Sequence, residues 1–171
     1  MKKKVNFLWG IFLVLFTGLV FSSCSKDSDP AEDILGSWTV DEVEVDAKIS
    51  DKTLLEYYME DYGLTEPQAQ AAVALFNAFM AQLFTGTINI NSDNTYEAVF
   101  GGEADSGTWS LSSDNKKLTI DSDTDETVIF DIVELSSGRA VLKTTASVEE
   151  DLDEDEIPED ISLTLELILT K

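Results

Sequence analysis

The chain has 171 residues, 34 of them acidic and 11 basic, with a formal net charge of −23, no histidine and one cysteine. Such a charge repels nucleic acid and anionic surfaces, so no nucleic-acid partner is expected. Without histidine or a spare thiol, Ser-His-Asp and Cys-His nucleophilic systems, the usual zinc sites, redox thiols and intrachain disulfides are excluded. What is left for chemistry is a carboxylate pair or a Ser-Lys arrangement. No short motif marks either, and among 34 carboxylates the proximity of two is expected by chance. The reading is therefore non-enzymatic, with no catalytic residue and no cofactor.

At the N-terminus Lys2, Lys3 and Lys4 precede an apolar run from Phe7 to Phe21 that ends in Ser22-Ser23-Cys24. A basic start, an apolar stretch of about 15 residues and small residues at a cut mark a secretory signal over residues 1–23, and the run is short for a bilayer span. The segment Phe21-Ser22-Ser23-Cys24 resembles the lipobox of bacterial lipoproteins, in which the cysteine thiol is diacylated and the peptide is cleaved before it. The resemblance implies that Cys24 is the lipidation site and the first mature residue. It also implies anchoring through that lipid to the bacterial outer membrane, on the periplasmic face or the cell surface. With the signal's three lysines removed, the 148 residues from Cys24 onward hold 8 basic and 34 acidic side chains, a formal charge of −26. That length suits one domain with a sizeable core. Ser25 to Asp33 are small, polar and acidic, so residues 24–33 read as the lipidated cysteine and a flexible tether, reaching about 30 Å when extended. Their acidity also resembles the surface-export signal of lipoproteins in Bacteroides-type bacteria.

From Ile34 onward the chain reads as short alternating segments separated by turn residues, the pattern of an antiparallel β-protein. The first predicted strand runs from Ser37 to about Asp46. Trp38 and Val40 share one face, and Val43 and Val45 switch parity, which predicts a bulge near Asp41-Glu42. Residues 51–84 break the pattern with helical spacing. Ser50 or Asp51 is placed to cap a first helix through about Tyr62, and Gly63 to end it in a left-handed conformation. Thr65 with Gln68 three residues on forms a capping box, with Pro67 in the first turn, and opens a second helix reaching about Phe84. No charged residue occurs between Pro67 and Ser92, and Ala72, Val73, Leu75, Phe76, Phe79, Met80 and Leu83 cover most of the second helix's circumference. A helix apolar nearly all round must be buried, or must face a ligand, partner or membrane.

Seven more strands follow. Gly86 to Asn91 and Thr95 to Phe100 form a hairpin around Ser92-Asp93-Asn94, and Gly101-Gly102 opens a polar loop to Ser106. Gly107 to Leu111, Lys117 to Ile120, Thr127 to Glu134 and Arg139 to Ser147 come next. Ile161 to Thr170 closes the series, with Leu163, Leu165, Leu167 and Leu169 in strict alternation. The fold class is all-β: an eight-stranded antiparallel meander barrel or curved sheet with a two-helix insertion between the first two strands, over residues 34–171.

Gly36-Ser37-Trp38 opens the first strand as the G-x-W motif opens lipocalins, and the eight-strand meander agrees. Gly107-Thr108-Trp109-Ser110-Leu111 followed by Lys116-Lys117-Leu118-Thr119-Ile120 is similar to the second characteristic block of bacterial lipocalin-like lipoproteins. Lipocalins carry an arginine near the last strand that packs over the tryptophan, whereas Arg139, the only arginine here, opens the seventh strand. The inserted helices resemble the portal helices that cap the barrel mouth in fatty-acid-binding proteins. The resemblance implies a lipocalin-like module for a small apolar ligand, with Trp38, Val40, Phe76, Phe79, Met80, Leu83, Tyr96, Phe100 and Trp109 as candidates to line its pocket. The alternative is a structural or interaction lipoprotein whose barrel is filled by its own side chains, with the neutral helix docking onto an envelope protein. Asp121, Asp123 and Asp125, and again Asp151, Asp153 and Asp155, have the D-x-D-x-D start of an EF-hand loop. Glu126 and Glu156 stand where the glycine is needed, and Ile132 and Ser162 where the final glutamate is needed. No metal site is therefore assigned, and charged, solvated loops are expected there.

Overall fold

Alternating inward apolar and outward polar side chains bend this chain into a sheet that closes on itself. The computed structural model describes residues 29–124, 126–152 and 158–171. Its elements are α1 (Pro30–Asp33), β1 (Gly36–Ile49), β2 (Lys52–Thr53), α2 (Leu54–Glu60), α3 (Glu66–Phe84), β3 (Gly86–Ile90), β4 (Thr95–Phe100), β5 (Glu103–Leu111), β6 (Lys117–Ser122), β7 (Val128–Leu135), β8 (Arg139–Glu150) and β9 (Glu159–Thr170). Strands β3 to β9 pair each with the next, β3 pairs with the first half of β1, and β9 returns to β1 from Thr39↔Thr170 to Ile49↔Ile161. β2 is a two-residue addition to β1, so the barrel proper has the expected eight antiparallel strands. The predicted bulge in β1 is present as a register shift between Val40 and Glu42.

Three local expectations change. Ser50 and Asp51 do not cap a helix: both have positive φ (49° and 68°) and form the tight turn between β1 and β2. The cap is Thr53, whose hydroxyl accepts from Glu56 N–H at 3.2 Å while the Glu56 carboxylate accepts from Thr53 N–H at 2.9 Å. The loop from Gly101 to Ser106 is also shorter than expected. Gly101 and Gly102, at φ 57° and 90°, form a two-residue hairpin turn, Phe100 pairs with Glu103, and β5 resumes at once. Finally, Pro30–Asp33, assigned to the tether, is a helical turn: Asp29 caps it by accepting from Ala31 N–H at 3.0 Å. Cys24 and the signal segment lie outside the described residues.

Two apolar clusters result. The larger fills the barrel and includes Ile34, Trp38, Tyr96, Trp109, Leu118 and Leu169. It is closed at one end by Ile34 and Trp38, both without solvent exposure. Trp38 Nε1 donates to the Ile34 carbonyl at 2.7 Å, and Lys171 Nζ sits 4.3 Å from the Trp38 ring centroid while donating to the Asp33 carbonyl at 2.7 Å. The smaller cluster lies where β1, β8 and β9 run past the other strands. There Ala47 and Ile49 pack with Leu54 and Tyr57 of α2, joined by Val73 and Phe76 of α3 and by Ile161 and Leu163.

Candidate functional site

An eight-stranded barrel encloses little more than its own side chains, or one small ligand. Here space is left. A cavity of about 180 Å³ lies inside the strands, walled by Ile88, Ile90, Leu118, Ile120, Phe130, Leu142, Leu167 and Leu169. Phe84 at the end of α3, Phe100, Val128 and Glu126 border it at the end opposite Trp38, where β4, β6 and the start of β7 reach solvent.

The wall is not uniformly apolar. Asp105, Gly107 and Trp109 alternate on the inner face of β5, so Asp105 shares the cavity side with Tyr96 of β4 and Ser122 of β6. Gly107 pairs with Tyr96 on one side and with Ser122 on the other. A Cβ at Gly107 would come within 2.1 Å of the Asp121 carbonyl oxygen, so glycine is required for β5 and β6 to approach here. The Asp105 carboxylate accepts three hydrogen bonds: Ser122 Oγ (2.7 Å) and Ser106 N–H (2.8 Å) on Oδ1, and Tyr96 Oη (2.5 Å) on Oδ2. Burial works against its charge, but the bonds from Tyr96, Ser122 and Ser106 outweigh it and hold the carboxyl below the usual carboxylate range. Burial first, and then the bond to Asp105, push the Tyr96 phenol well above its ordinary range, so it stays protonated and donates.

Of the residues expected from the sequence to line a pocket, Tyr96 and Phe100 do so. Trp38, Val40 and Trp109 are buried in the barrel core without bordering the cavity; Trp109 Nε1 is held by the Asn91 carbonyl at 2.9 Å. The helix candidates fall elsewhere. Phe76 packs in the second cluster, and Met80 is buried but does not reach the cavity. Phe79 and Leu83 face solvent, 58% and 43% exposed, with Leu75 at 73%. The reason is that α3 buries the face of Ala69, Val73, Phe76 and Met80 against α2 and the end of β1, which leaves the stripe flanking that face turned outward. Asp105 and Ser122 were absent from the expected site. The alternation of Asp105 with Trp109 would have placed the former inward had the strand been started at Glu103.

Among the described residues no group of three or more acidic, histidine or cysteine side chains is placed to hold a metal ion. Asp121 accepts from Thr127 Oγ1 and Asp123 from Ser106 Oγ, while Asp125, Asp153 and Asp155 lie outside the described residues and leave Asp151 alone of its set within them. The fold and cavity define a closed antiparallel β-barrel with an apolar cavity inside it. No family model and no curated protein matches the chain.

Proposed function

We propose that this chain is a membrane-anchored, non-catalytic binding module of lipocalin-like type that holds a small apolar ligand inside its barrel. The observation that carries the reading is the apolar cavity of about 180 Å³ open at one end. The lipocalin resemblance gains support from Trp38 of the G-S-W motif, buried at the closed end beneath a cation. That cation is Lys171, just past the last strand, in place of the arginine the family carries; Arg139 pairs with Glu134 instead. Cys24 bears the lipid, and the described chain enters the barrel through α1 at the closed end. Native mass spectrometry of protein purified from its own cell envelope tests this. A small apolar mass released on unfolding is the expected result, and a bare chain that also fails to bind a small neutral aromatic such as 2-phenylethanol saturably would sink the reading.

One observation favours a second role. Leu75, Phe79 and Leu83 form an exposed apolar stripe along α3, the arrangement expected of a docking face for an envelope protein rather than of a cavity wall. Crosslinking from position 79 in intact cells distinguishes the roles, since a carrier alone gives no discrete crosslinked partner.

A further inference from the structure

We propose that the cavity selects a compact hydrophobic amine, its ammonium head paired with Asp105 and its apolar body among Ile88, Ile120, Phe130 and Leu142, and that it rejects fatty acids. The inference rests on the binding-module reading and names the ligand class of that site.

Asp105 is an inward carboxylate in a wall that is otherwise almost wholly apolar. A carboxylate offers about four acceptor positions. Oδ1 takes two donors and Oδ2 only the Tyr96 hydroxyl, which leaves Oδ2 able to accept one more from the cavity side. Tyr96, Ser122 and the Ser106 amide are neutral donors, so they solvate the charge without cancelling it. Among the described residues no lysine or arginine borders the cavity or pairs with Asp105, and Glu126 adds a second negative charge at the rim. A half-buried carboxylate solvated by neutral donors keeps its negative field on the cavity side, and the cationic head of a ligand is what complements it. An anionic head would meet Asp105 and Glu126 with like charge. Size narrows the class further: a dry apolar cavity of about 150 Å³ holds one benzene ring, so the space here encloses a single ring with a short arm, and a long acyl chain would leave most of its length outside the mouth.

The test uses three molecules that share one body: 2-phenylethylamine, 2-phenylethanol and phenylacetate. Each is titrated calorimetrically into the full chain in phosphatidylcholine nanodiscs, with empty discs as the reference. The amine should bind at least tenfold more tightly than the alcohol, and phenylacetate at least tenfold more weakly than the alcohol. Asp105→Asn should bring amine and alcohol within threefold of each other. Because that substitution also disturbs Tyr96 and Ser122, Tyr96→Phe is the second variant: it frees Oδ2 and should raise the ratio of amine to alcohol affinity two- to fivefold. Equal binding of amine and alcohol to the unsubstituted chain, or no rise in the amine-to-alcohol ratio in Tyr96→Phe, would overturn the head-group assignment and leave the apolar cavity standing. No binding by any of the three would overturn the binding-module reading itself.

Discussion

Trp38 is held from three directions: its ring lies in the barrel core, its Nε1 donates to the Ile34 carbonyl, and Lys171 stands over its face while tied to the Asp33 carbonyl. These contacts join the first strand to the residue after the last and seal the closed end. Lys171→Met keeps most of the apolar stem but removes the cation and leaves the Asp33 carbonyl without its donor. Urea unfolding should show a loss of about 1–2 kcal/mol, and an unchanged midpoint would mean the cation contributes nothing there. Asp105 predicts a pH dependence whose sign follows from its lowered carboxyl. A group held below its unfolded value stabilises the fold above that value, about 3.9, and loses the contribution as pH falls through the lower folded one. Melting temperature should therefore drop more steeply for the unsubstituted chain than for Asp105→Asn as the pH is taken below about 4. Parallel curves would show that the carboxylate is not specially stabilised in the fold.

At the scale of elements, α3 shows how a uniform composition hides a two-sided role. Its buried face runs Ala69, Val73, Phe76 and Met80, and the exposed one Leu75, Phe79 and Leu83, each at helical spacing. Replacing Leu75 and Phe79 together by serine should change stability by no more than about 1 kcal/mol, because exposed positions carry little folding energy. The same variant should bind 2-phenylethanol in the cavity with unchanged affinity. A clear loss of that affinity would show instead that this stripe closes over the mouth. Phe84 is the part of α3 that reaches the cavity, because the chain must turn there to enter β3.

Across the whole molecule the chain divides into a closed barrel and an appendage. Every barrel strand is bonded on both sides, and β1 with β9 completes the ring, so its amides should open together. Helices α2 and α3 pack mainly on each other and on the end of β1 with β2, joined by Ile161 and Leu163 of β9 and touching the barrel core through Phe84. Native-state hydrogen exchange should find α3 amides opening at a free energy well below that of β1 and β9. Equal protection in both regions would mean that the helices and barrel unfold as one unit.

Strand positions, the β1 bulge, the capping box at Thr65 and the all-β class were legible in the sequence because each depends on local chemistry: alternation of period two, a parity switch, and a side chain answering a backbone group three residues away. The sequence alone also carried the signal-like N-terminus and Cys24, which rest on composition and spacing. Tertiary structure decided what local chemistry does not encode. The closure of β1 on β9 joins residues more than a hundred positions apart, and the side of α3 that is buried depends on where β1 extends past the barrel. Placing Asp105 beside Tyr96 and Ser122 required three strands in register, and the volume left among the inward side chains is a sum over the whole barrel that no single segment reports.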